Sequence, residues 1–384
     1  MTIFSLSRVR LLASAGFVWL AAIAPALAED LRIVTWNIDA DTGGSVGQMG
    51  GVDGGPGLVA VLQAIGQEKL AGNAQPIDVL ALEELNGTGT NAANATNATL
   101  EYVTTQLNDI YGAGTYAYDT VTDNTTGSGD TGNGPSGLIY NTKTVVDLGA
   151  SNVGTPSSSG ASRDPMLYHL APVGDSSASF YMYVQHAKSG GGSSDEARRE
   201  VEAAEVRASA ATLPAGSHII YAGDMNLNDS TEAAYQTMIA SGTGQAFDPA
   251  NPSENWLDTS AYASLMTEDA TYLEYRDDFQ MVNSATLNGT SGLVLVNGSY
   301  ENFGNNGSVG FKGSVTDSDN TAINDLSNQK TILTDLSTAT DHLPIVADYA
   351  VLTPEPASWL LMALAAIPVL CAARRRVMLA RSRC

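Results

Sequence analysis

Short apolar runs of strand length alternate with longer stretches of helical periodicity along most of the 384-residue chain. Apolar, β-branched and aromatic residues predict strands at 31–35, 77–82, 136–140, 165–170, 179–185, 217–222, 278–283, 292–297 and 345–351. Apolar residues at helical spacing predict helices at 57–71, 97–110, 195–212 and 231–240. Strands and helices alternate irregularly, so we expect a mixed-sheet α/β sandwich rather than a purely parallel sheet.

Three stretches rich in Gly, Asn, Ser and Thr interrupt this pattern, at 41–57, 86–99 and 122–136. We predict that they are surface loops or insertions. Two Asp-rich segments, 123–130 and 317–325, are candidates for structural Ca²⁺. They lack the fixed spacing of an EF-hand, so mobile polar loops are the favoured interpretation.

The two ends of the chain are typical of targeting segments. Residues 1–28 carry Arg8 and Arg10, then an apolar stretch, then Ala26-Leu27-Ala28, which predicts a cleaved secretory signal peptide. The C-terminal segment 354–384 begins with Pro-Glu-Pro, continues with an uncharged run over 357–373 and ends in an arginine cluster. This run is just long enough to span a bilayer, with the arginines on the cytoplasmic side.

The C-terminal segment resembles the PEP-CTERM sorting signals of Gram-negative bacteria in the order of its parts. That resemblance implies export across the inner membrane, transient anchoring, and a sorting protease as a partner. The mature protein would then reside at the cell surface or outside the cell. Residues 29–353 remain as one large domain.

Charge and cysteine content narrow the chemistry. The chain has 18 Lys and Arg against 41 Asp and Glu, a net charge of −23, and seven of its basic residues lie in the two terminal segments. Such a surface repels nucleic acid at long range and favours a monomer. Both cysteines, Cys371 and Cys384, lie in the tail, so the domain has no disulfide, thiol nucleophile or cysteine metal site.

Polar residues suited to metal or phosphate chemistry stand at the edges of four distant strand-like runs. These are Asn37 after the first run, Glu83-Glu84 after the second, Asp224 and Asn226 after 219–223, and Asp341-His342 before 345–351. Four such edges predict one convergent, acid-rich site. Hard divalent cations prefer carboxylate and water oxygens, with a substrate phosphate completing the shell.

These segments, taken in order, resemble the endonuclease/exonuclease/phosphatase superfamily, which includes deoxyribonuclease I-like nucleases and neutral sphingomyelinases. Four further segments agree with it: Gly137-Leu138-Ile139-Tyr140-Asn141, Ser162-Arg163-Asp164-Pro165, Tyr183-Val184-Gln185-His186 and Arg276-Asp277-Asp278-Phe279. The resemblance implies a four-layer α/β sandwich. Two packed mixed β-sheets would be flanked by helices, with the site at one edge.

The resemblance also implies roles for particular residues. Glu84 would be the main ligand of Mg²⁺ or Mn²⁺, with Asn37 and Asp341 as further ligands. Asp224 would orient or deprotonate the attacking water. Glu83 stands where most members of the superfamily have glutamine; it would either add metal affinity or face away from the site.

The remaining predicted residues concern the phosphate. The groups that would contact it are Asn226, Arg163 and His342, with Asp278 holding the His342 ring. His186 would be a second phosphate contact or the general acid. Nuclease-like members place an acidic partner for this histidine before the central strand, where this chain has Asn133-Gly134-Pro135-Ser136. The departure weakens the nuclease assignment relative to a generic phosphoesterase.

Three hypotheses follow. The first is a secreted metal-dependent phosphodiesterase that acts on extracellular nucleic acid by in-line water attack. The second keeps the machinery but changes the substrate to a phospholipid head group or a small phosphomonoester. The third is a non-catalytic surface or matrix protein that retains the sandwich as a scaffold. The sequence does not choose the substrate or the metal.

Overall fold

The computed structural model of the protein describes residues 30–40, 55–86, 92–122, 134–157, 159–253, 255–257, 260–268 and 270–352. The predicted signal peptide, the predicted sorting tail and the 123–130 segment lie outside these residues. Within the described part, no helix combines the length and the apolar character needed to cross a membrane.

The chain forms fourteen strands and six α-helices among its described residues. The strands are β1 (Leu31–Asn37), β2 (Lys69–Leu70), β3 (Asn73–Ala74), β4 (Val79–Glu83), β5 (Tyr116–Tyr118), β6 (Gly137–Asn141), β7 (Val145–Asn152), β8 (Met166–Pro172), β9 (Phe180–His186), β10 (His218–Asp224), β11 (Asp278–Val282), β12 (Gly292–Leu295), β13 (Glu301–Asn302) and β14 (Ile345–Leu352). The helices are α1 (Gly55–Gln67), α2 (Ala92–Tyr111), α3 (Ser193–Ala210), α4 (Ala233–Ile239), α5 (Ser284–Asn288) and α6 (Gln329–Ala339).

Two large mixed sheets contain all but two of these strands. The first has the order β12-β14-β1-β4-β6-β5, with β13 also paired to β14. The second has the order β11-β10-β9-β8-β7, and β2 pairs only with β3. Parallel pairs occur at β1–β4 and β9–β10, and the other pairs within the two large sheets are antiparallel.

Alternating side chains build the layers. Ile33 and Val79 of the first sheet pack with Phe180 and Ile220 of the second, forming a core between the sheets. The next residue along each strand points to the opposite face, where helices supply the apolar partners. Helices α1, α2 and α6 cover the first sheet, and α3 and α4 cover the second. The predicted four-layer α/β sandwich is therefore confirmed.

All nine predicted strands are present, but seven elements were not predicted and one predicted loop was wrong. The elements not predicted are the strands β2, β3, β5, β7 and β13 and the helices α5 and α6. The stretch 86–99 was predicted as a loop, yet residues 92–99 form the first two turns of α2. Tertiary packing outweighs the weak helix propensity of Asn and Thr there, because the buried Thr96, Thr99 and Leu100 pack on the sheet side.

Candidate active site

Strand register brings distant residues to one end of the sandwich. In the first sheet, β1 and β4 run parallel with Asn37 beside Glu83, so Glu84 emerges at the same edge. In the second sheet, Asp224 pairs with both His186 of β9 and Asp278 of β11. Three of the predicted site residues thus form a row across neighbouring strands of the second sheet.

The backbone at this edge has a positive φ at Glu84 and at Gly223, the residue before Asp224. Glu84 has φ +53°, a left-handed conformation that is uncommon for residues other than glycine. Gly134 approaches it so closely that a Cβ at position 134 would lie 2.4 Å from the Glu84 Cα. Gly223, with φ +127°, precedes Asp224, and a Cβ there would lie 1.9 Å from the Gln185 carbonyl oxygen. Only glycine fits at both positions, which fixes where the two acids emerge.

Asn37 lies between the two acids. Its Nδ2 donates to Glu84 Oε1 at 3.0 Å and to Asp224 Oδ2 at 3.1 Å, whereas its Oδ1 accepts the Asp39 N–H. His186 Nε2 lies 3.4 Å from Glu84 Oε1 and 3.5 Å from Asp224 Oδ2. The two sheets are therefore joined at this point by a compact polar cluster.

His342 occupies the loop before β14 and faces the same cluster. Its carbonyl accepts the Trp36 Nε1–H at 3.0 Å, and its N–H donates to Thr340 Oγ1 at 3.2 Å. His342 Nδ1 lies 2.8 Å from Asp278 Oδ2, and Nε2 lies 3.8 Å from Asp224 Oδ2. The Asp278 carboxylate keeps a proton on Nδ1 and fixes the orientation of the ring.

Burial and charge shift the acid–base properties of these groups. Burial raises the pKa of Asp224 to about 7, with Asp278 and Glu268 adding to the rise and His342 opposing it. For His342, burial lowers the pKa, but the Asp278 carboxylate, followed by Asp224 and Glu268, raises it well above the usual range overall. The surrounding acids thus favour the protonated form of the His342 imidazole, beside a carboxyl group whose pKa is about 7.

Two groups of side chains have the donors that a divalent cation needs. The ligand atoms of Glu84, His186 and Asp224 lie within 4.8 Å of one another, and those of Glu268, Asp341 and His342 do likewise. The first group offers two carboxylates and an imidazole at the open end of the cleft, where the Glu84 side chain is 21% exposed. The two carboxylates fit a hard divalent metal such as Mg²⁺ or Mn²⁺, whereas the imidazole is a ligand of the softer transition metals.

The predicted metal ligands divide between the two groups. Glu84 and Asn37 are in contact, although Asn37 presents its amide nitrogen. Asp341 belongs to the second group, where its Oδ1 lies 3.8 Å from His342 Nε2. The ligand roles of Asn37 and Asp341 stay predictions.

Glu83 faces away from Glu84, into the protein. It is fully buried, its Oε1 accepts the Thr35 hydroxyl at 3.0 Å, and burial followed by Asp278 raises its pKa well above the usual range. Of the two alternatives for Glu83, added metal affinity or a side chain that faces away from the site, the structure has the second.

The other predicted phosphate contacts lie behind His186. Arg163 is buried, and its Nη1 donates to the carbonyls of His186 at 3.3 Å and Ala187 at 2.6 Å. Asn226, with φ +48°, donates through Nδ2 to the Ala187 carbonyl at 3.2 Å and through its backbone N–H to Asp224 Oδ1 at 2.9 Å. These contacts hold the strand ends in place. The phosphate-binding roles of Arg163 and Asn226 stay predictions.

Two acids near His342 were missed by the sequence analysis. Glu268 forms an isolated bridge with His342, and Asp277 hydrogen-bonds to Glu268 through their side chains. Burial, then Glu268, raises the pKa of Asp277 well above the usual range. Asp277 stands beside Asp278 in a segment that the resemblance had already marked, but Glu268 follows no strand-like run and gave no sequence signal.

Comparison with known proteins supports the fold. No family model and no curated protein sequence matches the chain. Among solved structures, D. rerio TDP2 in complex with a single-strand DNA product is 15% identical, with a TM-score of 0.51, over 83% of this chain and 98% of that one. An endonuclease/exonuclease/phosphatase family protein from Bacteroides thetaiotaomicron is 14% identical, with a TM-score of 0.51, over 84% and 98%.

A third structure, a mannosyl-6-phosphatase from the same organism, is 14% identical, with a TM-score of 0.50, over 83% of this chain and 99% of that one. Identities this low establish architecture only. The chain has the endonuclease/exonuclease/phosphatase fold, and its chemistry must be argued from its own residues.

Proposed function

We propose that this protein is a secreted, divalent-metal-dependent phosphoesterase that cleaves phosphodiesters, with extracellular nucleic acid as the default substrate. The observation that carries the proposal is the convergence of Glu84, His186 and Asp224 with the Asp278–His342 pair at one end of the two sheets. Phosphate ester hydrolysis requires charge stabilisation, an activated water and a hydrogen-bond donor, and this cleft supplies candidates for each.

Glu84 is the central ligand of the proposed Mg²⁺ or Mn²⁺ site. His186 and Asp224 lie within reach of the same ion, and Asn37 and Asp341 are the further predicted ligands. When bound, the cation would neutralise charge that develops on the phosphoryl oxygens.

Asp224 is the proposed base. With a pKa of about 7, its carboxyl is ionised in a substantial fraction of molecules at neutral pH and accepts a proton from the attacking water. The water attacks phosphorus in line with the leaving oxygen, and no covalent intermediate with the protein is needed.

His342 is the proposed donor to the phosphoryl oxygen. Asp278 accepts the hydrogen bond of Nδ1, and its charge with that of Asp224 favours the protonated ring, in which Nε2 also donates, toward Asp224 and the cleft. A cationic donor held in this way stabilises negative charge in the transition state. His186 is a second phosphate contact or the general acid for the leaving group.

The test is hydrolysis of bis-p-nitrophenyl phosphate by the purified protein, with Mg²⁺, Mn²⁺ or EDTA. The Glu84→Gln variant removes the central ligand while preserving size. Asp109→Asn, an exposed acid on α2, is the matched control. Metal-dependent turnover lost only in Glu84→Gln supports the proposal. Turnover that persists in Glu84→Gln contradicts the ligand assignment. A wild type that hydrolyses neither diester nor monoester substrates favours the hypothesis of a non-catalytic scaffold.

A second candidate substrate class is a phospholipid head group or a small phosphomonoester. Acidic groups lie beside His342, namely Glu268, Asp277 and Asp341. These acids would repel the further phosphates that a nucleic-acid chain brings to this region, which favours a smaller substrate. The fold itself hosts more than one activity, since TDP2 has been solved with a DNA product and another member is a mannosyl-6-phosphatase. Rates on DNA, sphingomyelin and inositol phosphates at matched ionic strength separate the classes, and rapid DNA cleavage without lipid or monoester activity excludes the second.

The location and partners of the protein belong to the proposal as well. Export rests on the signal-peptide pattern of residues 1–28, and processing by a sorting protease rests on the 354–384 tail. The acidic surface favours a monomer. Mass spectrometry of the mature protein from its native host would show cleavage near residues 28 and 354 if both predictions hold.

A further inference from the structure

A second acidic region lies beside the first sheet, on the flank of a cavity of about 960 Å³. Three carboxyl groups line it: Glu68 just after α1, Glu301 of β13, and Asp325 in the segment that precedes α6. None of the cleft residues described above lines this cavity. We call the three residues the flank acids.

Two of the flank acids face each other and share a side-chain hydrogen bond, in which the protonated Glu68 donates to Glu301. Glu68 is 6% exposed, and apart from this contact neither its Oε2 nor the buried Oε1 of Glu301 has a hydrogen-bond partner in the described part of the chain. Burial, then the nearby Glu301 and Asp325, raises the pKa of Glu68 to about 10. Two carboxylates buried in this way require a shared proton or a cation between them.

The nearest arginine does not meet this need. Arg32 has five N–H groups, and all five are engaged by other acceptors. Nε and Nη2 bind the two oxygens of Asp348 at 2.8 and 3.0 Å, and the remaining N–H groups donate to the carbonyls of Ile65, Glu68 and Asn73. Lys69 also lines the cavity, but it is an exposed residue whose charge is screened by solvent.

We propose that the flank acids bind one divalent cation of the calcium type. The described donors around the cavity are oxygens from carboxylates and from the side-chain amides of asparagines such as Asn297, Asn302 and Asn324, with no histidine or cysteine among the lining residues. Oxygen ligands select Ca²⁺ or Mg²⁺ over softer metals, and the size of the cavity leaves room for the waters that complete a calcium shell.

The site would link three distant parts of the chain. Glu68 ends the α1 region, Glu301 belongs to a strand paired with β14, and Asp325 leads into α6. A cation held by all three binds the folded state only, so it raises the stability of the protein in proportion to its free concentration. Asp325 also accepts the Lys69 N–H at 3.2 Å, which already holds two of these segments together.

The experiment measures calcium binding in the Glu84→Gln background, so that the cleft does not contribute. We expect calorimetry to show one Ca²⁺ per chain and thermal melting to show a saturable rise in Tm. Both effects should be lost, with affinity at least tenfold weaker, when Glu68→Gln and Glu301→Gln are added. The matched control adds Glu101→Gln and Glu200→Gln, which remove the same charge from exposed positions on α2 and α3.

Two results would overturn the proposal. One is a Glu84→Gln protein whose Tm and heat signal do not respond to Ca²⁺ at pH 8, which would leave the flank acids sharing a proton. The other is an equal response in the flank-acid and control variants. If the double substitution prevents folding, Glu301→Gln alone provides the comparison, because Glu68 then gains an amide donor.

Discussion

The candidate catalytic cleft and the flank cavity both bury acidic side chains, but the partners of those side chains differ. In the cleft, Asn37, His186 and His342 place nitrogen atoms against the carboxylates of Glu84, Asp224 and Asp278. At the flank, Glu68 and Glu301 face each other, while Arg32 is fully engaged elsewhere.

This difference indicates different roles. In the cleft, His342 and Asn37 offset part of the effect of burial on Asp224, whose pKa of about 7 suits proton transfer. At the flank, Glu68 and Glu301 have only each other as side-chain partners and lie away from the cleft, which suits a structural cation. Four substitutions test this division, in order of the expected size of their effects.

Asp224→Asn should have the largest effect on catalysis. The substitution keeps the shape of the side chain but removes the proposed base, so kcat should fall by about 10²–10⁴-fold. Initial rates on bis-p-nitrophenyl phosphate measure the loss, and circular dichroism checks that the fold is intact. A variant with wild-type kcat would show that Asp224 is not the base.

Arg32→Met should have the largest effect on stability. It leaves the buried Asp348 without its partner at 2.8 Å and removes a buried cation whose charge acts on Glu68 and Glu301. The free energy of unfolding should drop by about 3–5 kcal/mol, measured by urea denaturation. Arg198→Met, a partly exposed arginine on α3, is the control and should cost much less.

Asp278→Asn should change the titration of His342 and moderately reduce turnover. Without the Asp278 carboxylate, the imidazole pKa should fall toward or below its usual value, because burial then dominates. A residue that orients a catalytic group in this way typically contributes about 10–100-fold. NMR titration of the histidine ring protons follows the shift, and His169, stacked on Tyr181, serves as the unchanged reference. An unaltered His342 pKa would exclude the positioning role.

Glu68→Gln should have the smallest effect, visible as a change of pH dependence. The carboxyl of Glu68 keeps its proton in the folded state up to about pH 10, whereas the unfolded chain releases it near the ordinary value of 4.5. The wild type therefore loses stability as pH rises through this window. In EDTA at pH 8, the variant should be more stable by at least about 1 kcal/mol, with no difference at pH 4.

Saturating Ca²⁺ should reverse the sign of that difference, because the variant lacks a ligand of the proposed flank site. Urea denaturation at the two pH values, with and without Ca²⁺, gives all four comparisons. A wild type that is more stable than the variant in EDTA at pH 8 would contradict the burial of a protonated Glu68 beside Glu301.

Much of the cleft was accessible from sequence because its residues follow recognisable strands. Asn37, Glu84, Asp224 and His342 stand next to apolar runs, and parallel pairing carries strand ends to one edge. Glu268 was not accessible, since only the fold of a loop brings it to His342.

The missed elements have similar explanations. The edge strand β7 leaves Val146 and Leu148 exposed and carries a bulge between Asp147 and Gly149, so its alternation is weak. Helix α6 has a clear apolar face at Ile332, Leu333 and Leu336, but its Ser and Thr content and the lack of a side-chain cap hide its start. The flank acids are far apart in sequence and no periodicity relates them.

The most direct test of the division between the two regions is the Mg²⁺-dependent rate of diester hydrolysis, measured side by side in the Glu84→Gln and the Glu68→Gln/Glu301→Gln proteins. We expect turnover to disappear in the first and to stay within about twofold of the wild type in the second, at a temperature where both are folded. Retained turnover in Glu84→Gln, or its loss in the folded flank variant, would contradict the division of roles between the two regions.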